Sequence, residues 1–301
     1  MSPEPPSIRV QVVLFRQQLG EVWRLTHAVG AVARMALATS HARDVSLAFG
    51  DSSPMPLLGG EDLAALQEMT ASSGLGTLTY DFFNANLGSS GGSNRLASVA
   101  VEDFILVLNP DTYPAPTLLT KLLVAFRDPR IGAADARQIP LEHPKDFDPV
   151  SGDTSWVSGS CMLVRADVFG AVGGFDDTHF LLYCDDVDFS WRVRLKGFRT
   201  VHVPAAVVFH DKRIQPSGTV APAPLEAYHG ALARLMLARK YGREDLVERT
   251  VAALERDGSH SQKAALEEWR RREVRGAVPS PIPEAAQVAQ FIDAEYARHR
   301  F

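Results

Sequence analysis

Leu181-Leu182-Tyr183-Cys184-Asp185-Asp186-Val187-Asp188-Phe189-Ser190-Trp191-Arg192 is the stretch whose reading decides the fold. An apolar run gives way to three carboxylates in four residues, and an amphipathic segment follows that stops at Gly197. Acids in the first turn of a helix interact favourably with its positive end, so this stretch reads as a helix N-terminus. Two adjacent acids exceed what a cap requires, which leaves one to face a pocket as a base. A further acid, Asp111, follows the apolar run Phe104–Leu108 in Asn109-Pro110-Asp111-Thr112, and His210 closes a second run, Ala206–Phe209. Carboxylates and an imidazole at the C-terminal ends of strands are where an open α/β sheet places its ligand. Together they read as a metal-assisted transferase.

Working outward, strands are expected at Ile8–Phe15, Val45–Phe49, Gly76–Tyr80, Phe104–Leu108, near Ile131–Ala134, at Trp156–Val164 and at Thr200–Phe209. Helical spacing marks Glu21–Ala38, Glu61–Met69, Pro114–Phe126 and Ala166–Val172. Asn86–Arg95 reads as a glycine-rich loop leading into a helix through Val101. Strands alternating with helices imply an α/β class with a single doubly wound, mainly parallel sheet. Residues 1–214 would form this domain, and 215–301 a C-terminal helical extension after a Pro/Gly linker at Gln215–Pro224. The extension carries two apolar stripes, Leu225, Tyr228, Leu232, Leu235 and Leu237, then Leu246, Val247, Val251 and Leu254, before a last helix at Glu284–Arg298. Such stripes need a partner, either the core or a second copy in a homodimer.

The 301 residues are 46% hydrophobic, enough for a sizeable core, and a formal charge of -5 argues against nucleic acid as a partner. Cys161 and Cys184 lack metal-ligand spacing and read as reduced thiols of a cytoplasmic protein. Met1–Pro6 lacks the basic and apolar regions of a secretory leader, and no uncharged apolar run approaches the ~20 residues of a membrane span. Arg270-Arg271-Arg272 beside Trp269 reads either as a solvated helix face or as a peripheral contact with anionic lipid at the inner face of the plasma membrane.

The ordered set of motifs resembles glycosyltransferase family 2, with the GT-A fold, and within it bacterial rhamnosyl- and galactofuranosyltransferases. The matching pieces are Asn86-Leu87-Gly88 with Gly91-Gly92-Ser93-Asn94, Leu108–Thr112, and Trp156-Val157-Ser158-Gly159-Ser160. They continue with Gly173-Gly174-Phe175-Asp176, Asp185–Asp188 with Arg192 and Gly197, then Pro204 with His210. The likeness covers about residues 8–212. Three positions depart from the pattern: Gly50-Asp51 at the acidic turn after the second strand, Asn109 where the metal motif begins with aspartate, and Asp185 where glutamate is usual.

The resemblance implies a nucleotide-sugar donor and a divalent cation, Mg²⁺ or Mn²⁺, held by Asp111 and His210. A cation bridging a diphosphate stabilises the charge that develops as it leaves. Asp186 becomes the base that takes the proton of an acceptor hydroxyl, with Asp185 as second choice or assistant. Donor-binding residues would be Phe15, Asp51, Asn86, Gly88, Asn94, Arg95 and Asn109. Acceptor-binding residues would be Trp156, Ser158, Gly159 and Tyr183. Plainer readings stand beside these. Asn-Pro-Asp-Thr is also a good turn, Asp188 a good helix-terminal acid, Trp156 an ordinary core residue, and Arg95 a surface arginine.

The expectation is an inverting glycosyltransferase using dTDP-rhamnose or a UDP-sugar and a glycan or lipid-linked acceptor of the cell envelope. Two rivals are a catalytically silent sugar- or nucleotide-binding module of the same fold and a sugar nucleotidyltransferase. The latter should carry a basic Gly-rich loop after the first strand, where Phe15-Arg16-Gln17-Gln18 stands.

Overall fold

Eight strands form one sheet in the computed structural model, which describes residues 4–143, 145–212, 223–292 and 295–297. They are β1 (Ser7–Leu14), β2 (Asp44–Asp51), β3 (Leu78–Phe82), β4 (Phe104–Leu108), β5 (Thr112–Pro114), β6 (Ile131–Ile139), β7 (Cys161–Arg165) and β8 (Arg199–His210), in the order β3-β2-β1-β4-β7-β6-β8-β5. Six helices belong to the sheet: α1 (Leu19–Ala38), α2 (Gly60–Ser73), α3 (Gly88–Ala97), α4 (Leu118–Ala125), α5 (Ala166–Ala171) and α6 (Asp185–Leu195). Three more follow: α7 (Pro224–Lys240), α8 (Glu244–Asp257) and α9 (His260–Val274).

The alternation of strand and helix produces the expected α/β sheet, with one difference in direction. β3, β2, β1 and β4 are parallel, as are β6 and β8, but β7 runs antiparallel to both β4 and β6. It reaches them from β6 through the loop at 140–160 instead of a crossover helix, and a chain that returns without a crossover returns antiparallel. β7 also begins at Cys161, so Trp156–Ser160 is loop, not strand. The three-residue β5, antiparallel to β8, was not anticipated from the sequence. β1 is buried on both faces because helices cover both. Ile8, Val10, Val12 and Leu14 meet Val22, Leu25, Val29 and Val32 of α1 in the main core.

The glycine-rich segment is helix α3, not a loop. Glycine there serves close approach: a Cβ on Gly92 would stand 2.8 Å from both methyls of Val13, and one on Gly88 would collide with the Leu181 carbonyl. The helix penalty of these glycines is offset by packing directly on β1 and on the segment that leads into α6.

The C-terminal helices share a second core with α6. Trp156, Phe180, Val187 and Trp191 pack among Leu232, Leu235, Met236, Leu254, Leu266 and Trp269. Most of the stripes that suggested a second copy are therefore buried within the chain itself. Val278–Pro283 is irregular, and the expected last helix is a 3-10 turn at Ala285–Gln287; Arg298, and most of the expected linker, lie outside the described residues. No described helix is long and apolar enough to cross a membrane. The arginine cluster is matched by acids: Arg270 pairs with Glu255, and Arg271 and Arg272 with Glu268 at 3.0 and 2.8 Å.

A buried ionic brace ties these parts together. Asp188, fully buried, receives Lys240 Nζ of α7 at 2.6 Å, Arg192 Nε at 2.8 Å and the Tyr241 hydroxyl at 3.1 Å. Lys240 also reaches Asp176 at 2.6 Å, and Arg192 Nη1 donates to the carbonyls of Val172 and Gly174 at 2.7 Å each. Removing one partner of a buried ion pair strands the others without compensation. Lys240→Met is therefore expected to cost about 3–5 kcal/mol of stability, read as a lowered urea midpoint. A midpoint equal to that of the native chain would show the brace to be idle.

Candidate functional site

The site forms where β4, β8 and the start of α6 converge. Thr112 closes the turn: its N–H and hydroxyl donate to the Asn109 carbonyl at 3.2 and 2.6 Å, while the Asn109 N–H donates to the Ser160 carbonyl at 2.9 Å. The turn reading of Asn-Pro-Asp-Thr is thus correct as local structure, and it sets Asp111 beside the end of β8. Because Thr112 pairs with His210 in register, Asp111 Oδ2 lies 3.4 Å from His210 Nε2. Burial pushes the Asp111 carboxyl up, but the adjoining imidazole holds it below the usual carboxylate range.

His210 is buried and its Nδ1 lies 2.7 Å from Gln138 Oε1. A carboxylate and an imidazole side by side, with Asp111 reaching solvent, suit a divalent cation completed by phosphate oxygens and water. Among the described residues no group of three His, Cys, Asp or Glu side chains could hold a metal by itself. Any cation here would depend on its ligand for the remaining oxygens.

The paired acids divide their work. Asp185 Oδ2 accepts from Ser89 and Ser90 of α3 at 2.8 and 3.0 Å. Asp186 accepts from the Gly159 N–H at 2.9 Å and from the Val187 N–H at 2.9 Å. Burial and the adjacent Asp185 charge push Asp186 up to about 7, against these two backbone donors. Asp185 is raised by burial too, opposed by its serines. Just before them, Tyr183 and Cys184 have φ of 66° and 56°, two consecutive non-glycine residues in the left-handed region. Strain of this kind is found at functional sites and persists only where surrounding structure enforces it.

The remaining expected residues fall into two groups. Phe15, at the end of β1, is partly exposed, Tyr183 is 40% exposed, and Gly159 lies against Asp186. Asn86 Oδ1 accepts the Gly88 N–H at 3.1 Å, which shapes the start of α3. The others are already engaged. Asp51 is spent on the Ser53 and Leu57 N–H groups, both at 2.8 Å, and on the Tyr80 hydroxyl at 2.5 Å. Asn94 clamps the Phe175 backbone at both its N–H and carbonyl, 2.8 Å each, and Arg95 makes a two-point pair with Asp81. Trp156 is 2% exposed, its ring set edge-on to Tyr296 and His143, so it is a core residue rather than an open platform. Ser158 is buried and its N–H donates to Asp135 at 2.7 Å.

Sequence reasoning missed a polar network beneath the site. Asp135 is fully buried and accepts from Lys145, from His202 Nδ1 at 2.8 Å and from Ser158. Gln138 Nε2 donates to Ser158 Oγ at 3.0 Å, and Ser158 and Ser160 share a bond at 3.0 Å. These contacts link Asp186, through Gly159 and Ser158, to Gln138 and His210. Ser158 stood out within its motif, but no local signal in Gln138 or Lys145 would have grouped them with it.

The fold matches that of solved proteins. It superposes on the mannosyltransferase PcManGT of Pyrobaculum calidifontis, solved with GDP-Man and Mn²⁺, with a TM-score of 0.59 over 95% of this chain and 79% of that one, at 16% identity. It superposes equally on GalNAc-T7, solved with UDP, GalNAc and Mn²⁺, with a TM-score of 0.59 over 92% and 56% of the two chains at 12% identity. The fold is that of the GT-A glycosyltransferases. In sequence the chain is 32% identical over 165 residues to an N-acetylglucosaminyl-diphospho-decaprenol L-rhamnosyltransferase of Mycobacterium tuberculosis, covering 43% of this chain and 53% of that protein. It is 30% identical over 170 residues to rhamnosyltransferase WbbL of Escherichia coli K12, covering 43% and 63%. The match therefore spans less than two thirds of either relative. No protein-family model matches the chain. The resemblance to family 2 enzymes near bacterial rhamnosyltransferases is borne out.

The raised Asp186 has a consequence for stability. A carboxyl whose folded pKa exceeds its unfolded one contributes stability that is complete below the unfolded value and is lost as pH rises through the folded value. Asp186→Asn removes that loss while adding a constant cost for one missing acceptor. The stability difference between variant and native chain should shift toward the variant between about pH 4 and pH 7, read from urea midpoints. A difference independent of pH would show that Asp186 ionises as it would in water.

Proposed function

We propose that the chain is an inverting, divalent-cation-dependent glycosyltransferase that moves a sugar from a nucleoside-diphosphate donor to a hydroxyl of a glycan or lipid-linked saccharide. The observation that carries the proposal is the convergence of Asp111, His210 and Asp186 on a GT-A sheet, linked by the Asp111–His210 contact, the Gln138 hydrogen bonds and the Ser158–Gly159 backbone. The names of the M. tuberculosis and E. coli relatives favour a rhamnosyl donor, dTDP-rhamnose, with a UDP-sugar as the other choice, and the first of those names favours a lipid-linked diphosphate acceptor. Such a reaction would serve the cytoplasmic face of an envelope pathway. Residues 1–214 form the catalytic unit in this reading, and 215–301 support its acceptor side.

Asp111 and His210 would hold Mg²⁺ or Mn²⁺, which when bound neutralises charge on the departing diphosphate. Asp186, presented by the first turn of α6 and oriented by the Gly159 N–H, takes the acceptor proton as its oxygen attacks the anomeric carbon. A pKa near 7 suits a base working near neutrality, since it is ionised enough to act and basic enough to accept. Asp185, fixed by two serines of α3, orients its neighbour and keeps its pKa high. Attack from the face opposite the leaving group, with no second nucleophile, inverts the anomeric centre. Phe15, Asn86, Gly88 and Asn109 would border the donor and Ser158, Gly159 and Tyr183 the acceptor. Asp51, Asn94, Arg95 and Trp156 would act by holding the walls.

Four measurements test this. EDTA should abolish release of nucleoside diphosphate and Mn²⁺ should restore it; full turnover by metal-stripped chain would remove the cation from the mechanism. Asp186→Asn should lower kcat by roughly 10²–10⁴-fold, and kcat/KM of the native chain should fall as pH drops below about 7. Near-normal turnover by this variant, or a product of retained configuration by NMR, would overturn the assignment.

A further inference from the structure

We infer that Gln138 is a positioning residue that locks His210 in the tautomer able to accept a cation, an inference that rests on the metal reading proposed above. Gln138 lies on β6, opposite Val208 of β8, and is 1% exposed. Both ends of its side-chain amide are used. Oε1 faces His210 Nδ1 at 2.7 Å, and Nε2 donates to Ser158 Oγ at 3.0 Å. An amide oxygen only accepts, so Nδ1 carries hydrogen and donates to it. A neutral imidazole has one N–H, which leaves Nε2 as a bare lone pair 3.4 Å from Asp111 Oδ2.

Two acceptors facing each other at that distance repel unless a positive charge stands between them. A divalent cation held between them would supply it. With the opposite tautomer, Nε2–H would donate permanently to Asp111 and occupy the place of the metal. Partners of this kind behind a ligating histidine fix its tautomer and ring orientation, and their loss costs about 10–100-fold in metal affinity or activity. Ser158 and Ser160 anchor the far end of the amide, so the lock extends from the loop beside Asp186 to the metal ligand.

The test uses full-length chain labelled with ¹⁵N-histidine and free of metal, with His210 assigned by difference from His210→Ala. Long-range ¹H–¹⁵N spectra at pH 8 should show Nδ1–H on His210 in the native chain. Gln138→Met keeps the volume but offers no acceptor. It should move His210 to Nε2–H and weaken Mn²⁺ uptake, followed by the free-Mn²⁺ electron paramagnetic resonance signal, by about 10–100-fold. Gln138→Glu restores an oxygen acceptor and should return both readouts toward native. Nε2–H in the native chain, or native tautomer and native Mn²⁺ uptake in Gln138→Met, would overturn the inference. The native spectrum alone decides the tautomer if the variant does not fold. Native chain that shows Nδ1–H but takes up no Mn²⁺, alone or with inorganic diphosphate, would overturn the metal reading while leaving the tautomer assignment intact.

Discussion

The structure depends on one buried carboxylate. Asp188 has no access to water, and a lone charge there would be untenable. Arg192 from its own helix, Lys240 from α7 and the Tyr241 hydroxyl supply the compensation. Arg192 and Lys240 each do a second task. Arg192 holds the turn at Gly173-Gly174, Lys240 holds Asp176, and the same turn is clamped by Asn94 of α3. One charge thus fixes the relative positions of four elements around the first turn of α6, where Asp185 and Asp186 stand.

That arrangement explains why neighbouring acids in one turn have different fates. Asp188 points into the brace and is neutralised by cations. Asp185 points toward α3, where two serine hydroxyls donate to it, while Asp186 points toward the Gly159 loop and accepts from backbone N–H groups. Hydroxyl and amide donors stabilise a carboxylate less than a paired cation does, so the two acids keep raised pKa values while their neighbour is committed to structure. Helical geometry sends successive residues about 100° apart, which is what separates the three environments.

Much of this was legible beforehand because its causes are local. The acid-rich start of α6, its stop before Gly197 and the strand ends carrying Asp111 and His210 all follow from patterns a few residues long. α3 was not legible as a helix. Its Gly and Ser content reads as loop, and only contact with Val13 and Leu181 makes glycine the fitting residue. The reversed direction of β7 and the brevity of β5 are set by distant pairing. In the site the titratable residues were conspicuous, whereas Gln138, Lys145, Ser89 and Ser90 were silent because their significance lies in what they touch across the sheet. The motif residues Asn94, Arg95 and Trp156 stood out in the same way, yet their contacts are those of scaffold.

The left-handed pair Tyr183-Cys184 bears on how this protein could be made hardier. Each such residue costs of order 1–3 kcal/mol, which glycine at the same position would largely avoid. These are therefore attractive positions for relieving backbone strain, and also poor ones to alter. Glycine at 183 would delete the exposed ring beside the acid turn, and glycine at 184 would leave a hole in the core shared with Trp156 and Val187. Freedom returned to the backbone would also let the helix start, and both acids with it, move away from the Gly159 loop. Robustness and orientation draw on the same two residues, so a hardier variant is better sought on the outer faces of α8 and α9.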